Sequence, residues 1–357
     1  MKSVLLVSPY PYTPSNRGMD MLTQGFELSG WRVHHLRFPS VFYSVRAESS
    51  SVNVEQLSAR RTLLPYIDAL MHRWPRFVFN RIMAAHRRSV STVDWRQYDT
   101  VVLESGKPLF LLDMIPAQIP VIYRQSDPMR LFLGRNPHYL ALEDGVFERG
   151  RYLLLVKERF IQTVPPRYRD KIRVIHNGFR IPENISFPTP YLPGTINVVY
   201  AGLAPLDTDC LRVLGGDFPG VTFHLFGTGI RGSRHWLRRC PNIVHYGFVS
   251  QDTFLPYLAN ADVYIFPFKR SERMNNVGLT SKHLTAMRFG LPIISFPMGP
   301  AEEFEGMFIN FCADSAEFSR ALGRMVQERP RLRYNIPWEK FSSESILQEY
   351  VHFIETL

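Results

Sequence analysis

TSKHLTAMRFGLPIIS, residues 280–295, reads as a helix running into a strand. The helix opens at Thr280, a residue type that caps helix N-termini, and stops at Gly290 and Pro292 before the apolar run PIISFP at 292–297. Lys282 falls in the first turn, where the helix dipole gains least from a cation and unpaired N–H groups favour a diphosphate. It is therefore either a ligand for a phosphorylated group or a solvated surface lysine. Outward from this stretch lie four more strand-type runs: INVVYAG (196–202), VTFHLFG (221–227), NIVHYG (242–247) and VYIFPF (263–268). Helix-sized stretches separate them. Strands alternating with helices imply a parallel sheet, which binds ligands at its carboxyl edge.

The first half of the chain repeats the pattern. It opens with the strand Ser3–Ser8, a Pro-rich turn, a helix at Met19–Leu28 and a strand at Trp31–Phe38, a βαβ start. The runs TVVLES (100–105), PVIYRQS (120–126) and YLLLVK (152–157) follow. A loop carrying Pro182, Pro188, Pro190 and Pro193 then separates the halves. Two doubly wound parallel-sheet domains are expected, residues 1–180 and 181–335, facing a central cleft. An amphipathic C-terminal helix in 336–357 is expected to pack back on the first domain. Residues 55–90 read as one or two broken amphipathic helices in which arginines alternate with Trp74, Phe77 and Phe79.

Charge is lopsided. Residues 1–180 hold 26 Lys+Arg against 15 Asp+Glu, and the remainder 16 against 17. An anionic partner for the first domain follows, and the basic aromatic segment can lie on an anionic bilayer or simply be a solvated face. No helix-turn-helix, RRM or OB pattern accompanies the charge, so nucleic acid is not expected. Cys210, Cys240 and Cys312 lack paired spacing and read as reduced core thiols. The opening apolar run is broken by Pro9 and reads as a buried strand rather than a signal peptide. A cytoplasmic protein, peripherally associated with the inner face of the membrane, is the expectation.

Three loops carry candidate chemistry. Asp127 stands at the end of a strand and before Pro128, where a carboxylate can act as general base or simply form a turn. Glu104, ending the neighbouring strand, competes for the role, and Glu104 with Arg17 are candidates on the acceptor side. AGLAPLDTD at 201–209 offers Gly202 and Ala204 to a ligand, and YGFVSQD at 246–252, with Phe248, precedes a helix capped by Ser250 or Asp252. FGTGIRG (226–232) is half a dinucleotide fingerprint. No phosphate-binding lysine loop, HExxH or nucleophile elbow occurs, and the Asp207–Asp209 DTD lies in a loop of the second domain, so no metal site is expected.

The order of these motifs resembles the bacterial exopolysaccharide glucuronosyltransferases of xanthan assembly (GumK-like), members of the GT-B superfamily. The likeness is carried by TPSNRGMDMLTQGFELSG (13–30), VVLESG (101–106), YRQSD (123–127), HNGF (176–179), TSKHL (280–284) and FGLP (289–292). It implies a UDP-sugar held by the second domain, a lipid-diphosphate-linked oligosaccharide acceptor held by the first, inversion at the anomeric carbon and no cofactor. Asp127 matches the family's base, and Lys282 the lysine on the donor diphosphate. Phe248, Phe268 and Ser281 stand where the family has an acidic residue, a tyrosine and a methionine, and all three are placed on the donor side with Thr285. Thr285 occupies the slot of a glutamate common in retaining enzymes. A retaining transferase, a sugar-nucleotide epimerase and a non-catalytic anionic-membrane-binding protein are the alternatives.

Overall fold

The computed structural model describes residues 1–12, 18–38, 54–58, 75–132, 136–179, 186–227, 234–247, 249–272 and 274–357. The chain divides into two compact units, one of Met1–Arg180 with Trp338–Leu357 and one of Ile181–Pro337.

Unit 1 holds β1 (Ser3–Ser8), β2 (Arg32–Arg37), β3 (Val54–Ser58), β4 (Thr100–Glu104), β5 (Val121–Gln125), β6 (Tyr152–Leu155) and β7 (Ile172–Val174). They form one parallel sheet in the order β3-β2-β1-β4-β5-β6-β7. Its helices are α1 (Gly18–Leu28), α2 (Arg76–Arg88), α3 (Met129–Phe132), α4 (Pro137–Arg149) and α10 (Ser343–Glu355). Alternate residues of each strand enter opposite layers, because successive Cβ atoms point to opposite faces. Val4, Leu6, Val102 and Ile122 pack with Phe26 of α1 and Tyr350 and Phe353 of α10. Leu5, Val7, Val101, Leu103 and Tyr123 pack with Phe79 of α2 and Phe147 of α4. Burial on both faces explains why β1, β4 and β6 are near-continuous apolar runs. Gly25 lets α10 come close, since a Cβ there would meet Tyr350 and Ile354 at 3.1 Å.

Residues 55–90 depart from the helical expectation at their start and meet it in Arg76–Arg88. Val54–Ser58 is the edge strand β3, paired in parallel with β2 from Val33↔Val54 to Arg37↔Ser58. Val54 and Leu57 are three apart, which mimics a helical stripe, and only pairing to β2 reveals the strand. Arg60, Arg61, Arg73 and Trp74 lie outside the described residues. α2 begins after Pro75 and buries Phe79, Ala85 and His86, leaving Arg76, Phe77, Arg81 and Arg88 exposed.

Unit 2 holds β8 (Ile196–Ala201), β9 (Val221–Phe226), β10 (Ile243–Gly247), β11 (Val263–Phe266), β12 (Ile293–Ser295) and β13 (Ile309–Phe311), parallel in the order β10-β9-β8-β11-β12-β13. Its helices are α5 (Thr208–Asp217), α6 (Arg234–Leu237), α7 (Gln251–Asn260), α8 (Ser281–Arg288) and α9 (Ser315–Glu328). Both sheets reverse direction of growth beside their first strand, at β1/β4 and β8/β11. In doubly wound folds a crevice for ligand opens outside the strand ends at such a point. The three cysteines are free and buried. Among the described residues no helix is long and apolar enough to cross a membrane.

Candidate active site

In unit 1 the carboxyl ends of β1, β4 and β5 are tied by a buried polar network. Ser8 Oγ donates to Glu104 Oε2 at 2.6 Å, and Arg124 Nη1 donates to Glu104 Oε1 at 3.1 Å. Arg124 Nη2 donates to Asn177 Oδ1 at 2.7 Å, and its Nε reaches Tyr350 Oη at 3.5 Å. The Arg124 side chain is only 2% exposed. α1 starts directly against this network at Gly18, where any Cβ would collide with the guanidinium and the Asn177 amide. Glu104 thus spends both oxygens on the fold, which disfavours it as a proton acceptor.

Asp127 is exposed, just beyond β5, and its backbone amide donates to Ser105 Oγ at 3.0 Å. Ser105 and Ser126 share a hydroxyl contact of 2.8 Å. Two residues on, the Met129 amide donates to Glu143 Oε1 at 3.0 Å. The turn that carries the carboxylate is thereby fixed at both shoulders. Lys107 follows the end of β4 after Gly106, whose φ of 100° suits glycine. Burial pushes its ammonium down to about 8. Ser105, Lys107 and Glu143 were not singled out from sequence. Ser105 lies within the quoted VVLESG and was the most legible of the three.

In unit 2, α8 starts where the sequence places it. Thr280 is its N-cap and forms a capping box with His283. The Thr280 amide donates to His283 Nδ1 at 3.2 Å, so the ring's proton sits on Nε2. His283 is fully buried and stacks on Phe266 with centroids 4.0 Å apart. Ser281 and Lys282 open the helix, and Lys282 is exposed. The segment leading in is held by residues missed in the sequence. The Gly278 amide donates to Met298 O at 2.5 Å and the Leu279 amide to Glu303 Oε2 at 2.8 Å. Gly278 has φ +64°, and a Cβ there would strike the Glu303 carboxylate. Thr285 spends its hydroxyl on Ser281 O at 2.7 Å.

Gly202 follows β8 back to back with Gly227, whose φ is +113°, and a Cβ on Gly202 would reach the Tyr200 hydroxyl at 2.5 Å. Tyr200 Oη donates to Ala204 O at 3.3 Å, shaping the loop before α5, and Leu203 at its tip is exposed. Phe268 is buried against Phe266 at 5.1 Å and Tyr200 at 6.4 Å, so its ring is part of the unit 2 core. Asp207 caps α5 by accepting from the amides of Asp209 and Cys210, and Asp209 pairs with Arg212. Among the described residues no three His, Cys, Asp or Glu side chains form a metal-ligand group. Arg17, Phe248 and residues 228–233 lie outside the described residues.

Comparison with known proteins agrees with the two-sheet fold. Residues 209–328 match the family of glycosyl transferases group 1. The chain is 26% identical over 289 residues to UDP-glucuronate:glycolipid 2-beta-glucuronosyltransferase of Xanthomonas campestris pv. campestris, covering 79% of this chain and 67% of that one. Anabaena HepE in complex with UDP-glucose superposes with a TM-score of 0.70 at 13% identity, over all of both chains. Sucrose-phosphate synthase from Thermosynechococcus elongatus superposes with a TM-score of 0.69 at 14% identity, over 100% of this chain and 99% of that one. Two parallel-sheet units with these likenesses make the chain a glycosyltransferase of the GT-B fold, similar to the glycolipid glucuronosyltransferases.

Proposed function

We propose that the enzyme transfers a sugar from a UDP-sugar to a lipid-diphosphate-linked oligosaccharide, with inversion and without a metal. The relative from Xanthomonas uses UDP-glucuronate and a glycolipid, and HepE holds UDP-glucose, which supports this choice of donor and acceptor class. The observation that carries the mechanism is the contrast between two carboxylates on adjacent strand ends. Glu104 is buried at the end of β4, whereas Asp127 is exposed on a fixed turn beyond β5. Asp127 takes the proton of the acceptor hydroxyl as the oxygen attacks C1, the C1–O bond to the diphosphate breaks, and UDP leaves. Lys282, beside Ser281 at the amino end of α8, offsets the charge gathering on the departing diphosphate, as helix N-termini do. The exposed Arg76, Phe77, Arg81 and Arg88 face of α2 suits an anionic bilayer, where such an acceptor resides.

The test is UDP release and product formation from UDP-glucuronate, UDP-glucose and UDP-N-acetylglucosamine with synthetic lipid-diphosphate-linked oligosaccharides, in EDTA. Asp127→Asn is expected to lower kcat by roughly 10² to 10⁴-fold, the usual worth of a general base. Near-normal transfer by that variant would remove Asp127 from the role. Lys282→Ala is expected to abolish stabilisation by UDP in a melting experiment, and an unchanged response would remove the lysine from the donor site.

A further inference from the structure

We infer that Glu143 is a positioning residue for the transfer reaction, its carboxylate holding from inside unit 1 the Ser126–Met129 turn that presents Asp127. The inference rests on Asp127 being the base.

Glu143 lies on α4 and is completely buried. Its Oε1 gathers three donors at 3.0 Å each: Tyr123 Oη, Gln125 Nε2 and the Met129 amide. Its Oε2 faces Arg130 Nε at 3.6 Å, and Arg130 also pairs with Asp144. Two of the three donors on Oε1 come from β5, and the third lies just past Asp127. One oxygen therefore joins the strand before the base to the helix after it. Pro128 between them has a fixed φ, and its carbonyl accepts the Leu131 and Phe132 amides at 3.0 Å, so the segment has little freedom of its own. The other shoulder is the Asp127 amide on Ser105. With both shoulders held, the backbone fixes the Cα–Cβ direction from which the Asp127 carboxylate is presented.

Burying a carboxylate is costly, and burial pushes this one up from its ordinary range while the converging donors oppose the shift. A residue needed only for packing would not be acidic. Three donors meeting at one point call for an acceptor oxygen, and the amide donor belongs to the turn that bears the reactive group.

Glu143→Ala, Glu143→Asp and Glu143→Gln are compared in the full chain by transfer kinetics, with Asp127→Asn and Tyr123→Phe alongside. Glu143→Ala is expected to lose about 10²-fold in kcat, the scale of a misplacement of ~1 Å in a reacting group. Its KM for the UDP-sugar should stay within a few-fold, since the donor is assigned to unit 2. Glu143→Asp keeps the charge but draws the oxygens back by about one bond length, roughly 1.5 Å, and should lose nearly as much. Glu143→Gln keeps an acceptor oxygen in place and should recover to within a few-fold of the parent. Tyr123→Phe, which leaves the Met129 contact intact, should keep most of its kcat. If the alanine variant does not fold, the aspartate and glutamine variants carry the comparison. Full kcat in Glu143→Asp together with an inactive Asp127→Asn overturns the positioning role alone, as does a glutamine variant as slow as the aspartate one. An active Asp127→Asn brings down the base assignment, and this inference with it.

Discussion

Replacing Glu104 separates a structural carboxylate from a catalytic one. In Glu104→Ala the Arg124 guanidinium, 2% exposed, loses its only carboxylate partner among the described contacts, and Ser8 loses the acceptor for its hydroxyl. Leaving one member of a buried ion pair unpaired costs about 3–5 kcal/mol, and an orphaned buried hydroxyl about 1–3 kcal/mol. Asn177 and Tyr350 still accept from Arg124, which holds the sum toward the lower end, about 4 kcal/mol. For a unit of Met1–Arg180 and Trp338–Leu357, a shift of about 2–4 °C per kcal/mol applies, so unit 1 should melt roughly 8–16 °C lower. The assay is urea and thermal unfolding followed by far-UV circular dichroism, with the response to UDP reporting unit 2 separately. Glu104→Met combined with Arg124→Met removes both charges and should recover more than half of the loss. An alanine variant within about 1 kcal/mol of the parent, yet slowed ~10²-fold or more in transfer, would refute the structural assignment and make Glu104 the base.

Other expectations follow from the same geometry. Gly278→Ala places a Cβ at φ +64° and against Glu303, so we expect a loss of about 1–3 kcal/mol and a weakened UDP response in melting experiments. His224 is pulled down to about 4 by burial, beside Tyr246 at 2.9 Å and Asn197 at 3.0 Å. Between the ordinary value of 6.5 and about 4 only the unfolded chain takes up this proton, so unit 2 should lose stability as pH falls through that window. His224→Gln should flatten this part of the Tm–pH curve. Lys107, held near 8 against an ordinary 10.5, acts in the alkaline range: the folded state sheds its proton first, so stability should rise from about pH 8 to 10.5, and Lys107→Met should abolish the rise. Phe77→Glu with Arg81→Glu should weaken co-sedimentation with phosphatidylserine vesicles by about tenfold or more, at roughly 1 kcal/mol per basic residue near the surface, and unchanged binding would exclude α2 as the contact.

Most of the fold could be read from the chain because parallel strands buried on both faces appear as apolar runs, as in Val4–Val7, Val101–Leu103 and Val263–Phe266. The start of α8 was equally plain, because a cap, a short helix, Gly290 and Pro292 are local signals. β3 and β13 were not, since each is a short edge strand whose identity comes from its neighbour: Val54–Ser58 from β2, Ile309–Phe311 from β12. Of the candidate site residues, Asp127 and Lys282 were picked out by position at the ends of predicted elements. Glu143 and Glu303 did not. Each acts on a backbone amide 14 or 24 residues away, and a side chain accepting from a distant main-chain N–H leaves no spacing to detect. Their partners become visible only once the chain is folded.

The membership of α10 in unit 1 has a consequence for how the protein is made. Ile346, Tyr350, Phe353 and Ile354 cover one layer of the first sheet, and Tyr350 meets Arg124, yet all are synthesised after the whole of unit 2. On the ribosome the carboxyl-terminal sheet has its full sequence first, while the amino-terminal one waits with Val4, Leu6 and Phe26 lacking that cover. Such surface is a natural ligand for chaperones and a natural nucleus for aggregation. A helix that emerges after unit 2 closes the sheet made before it.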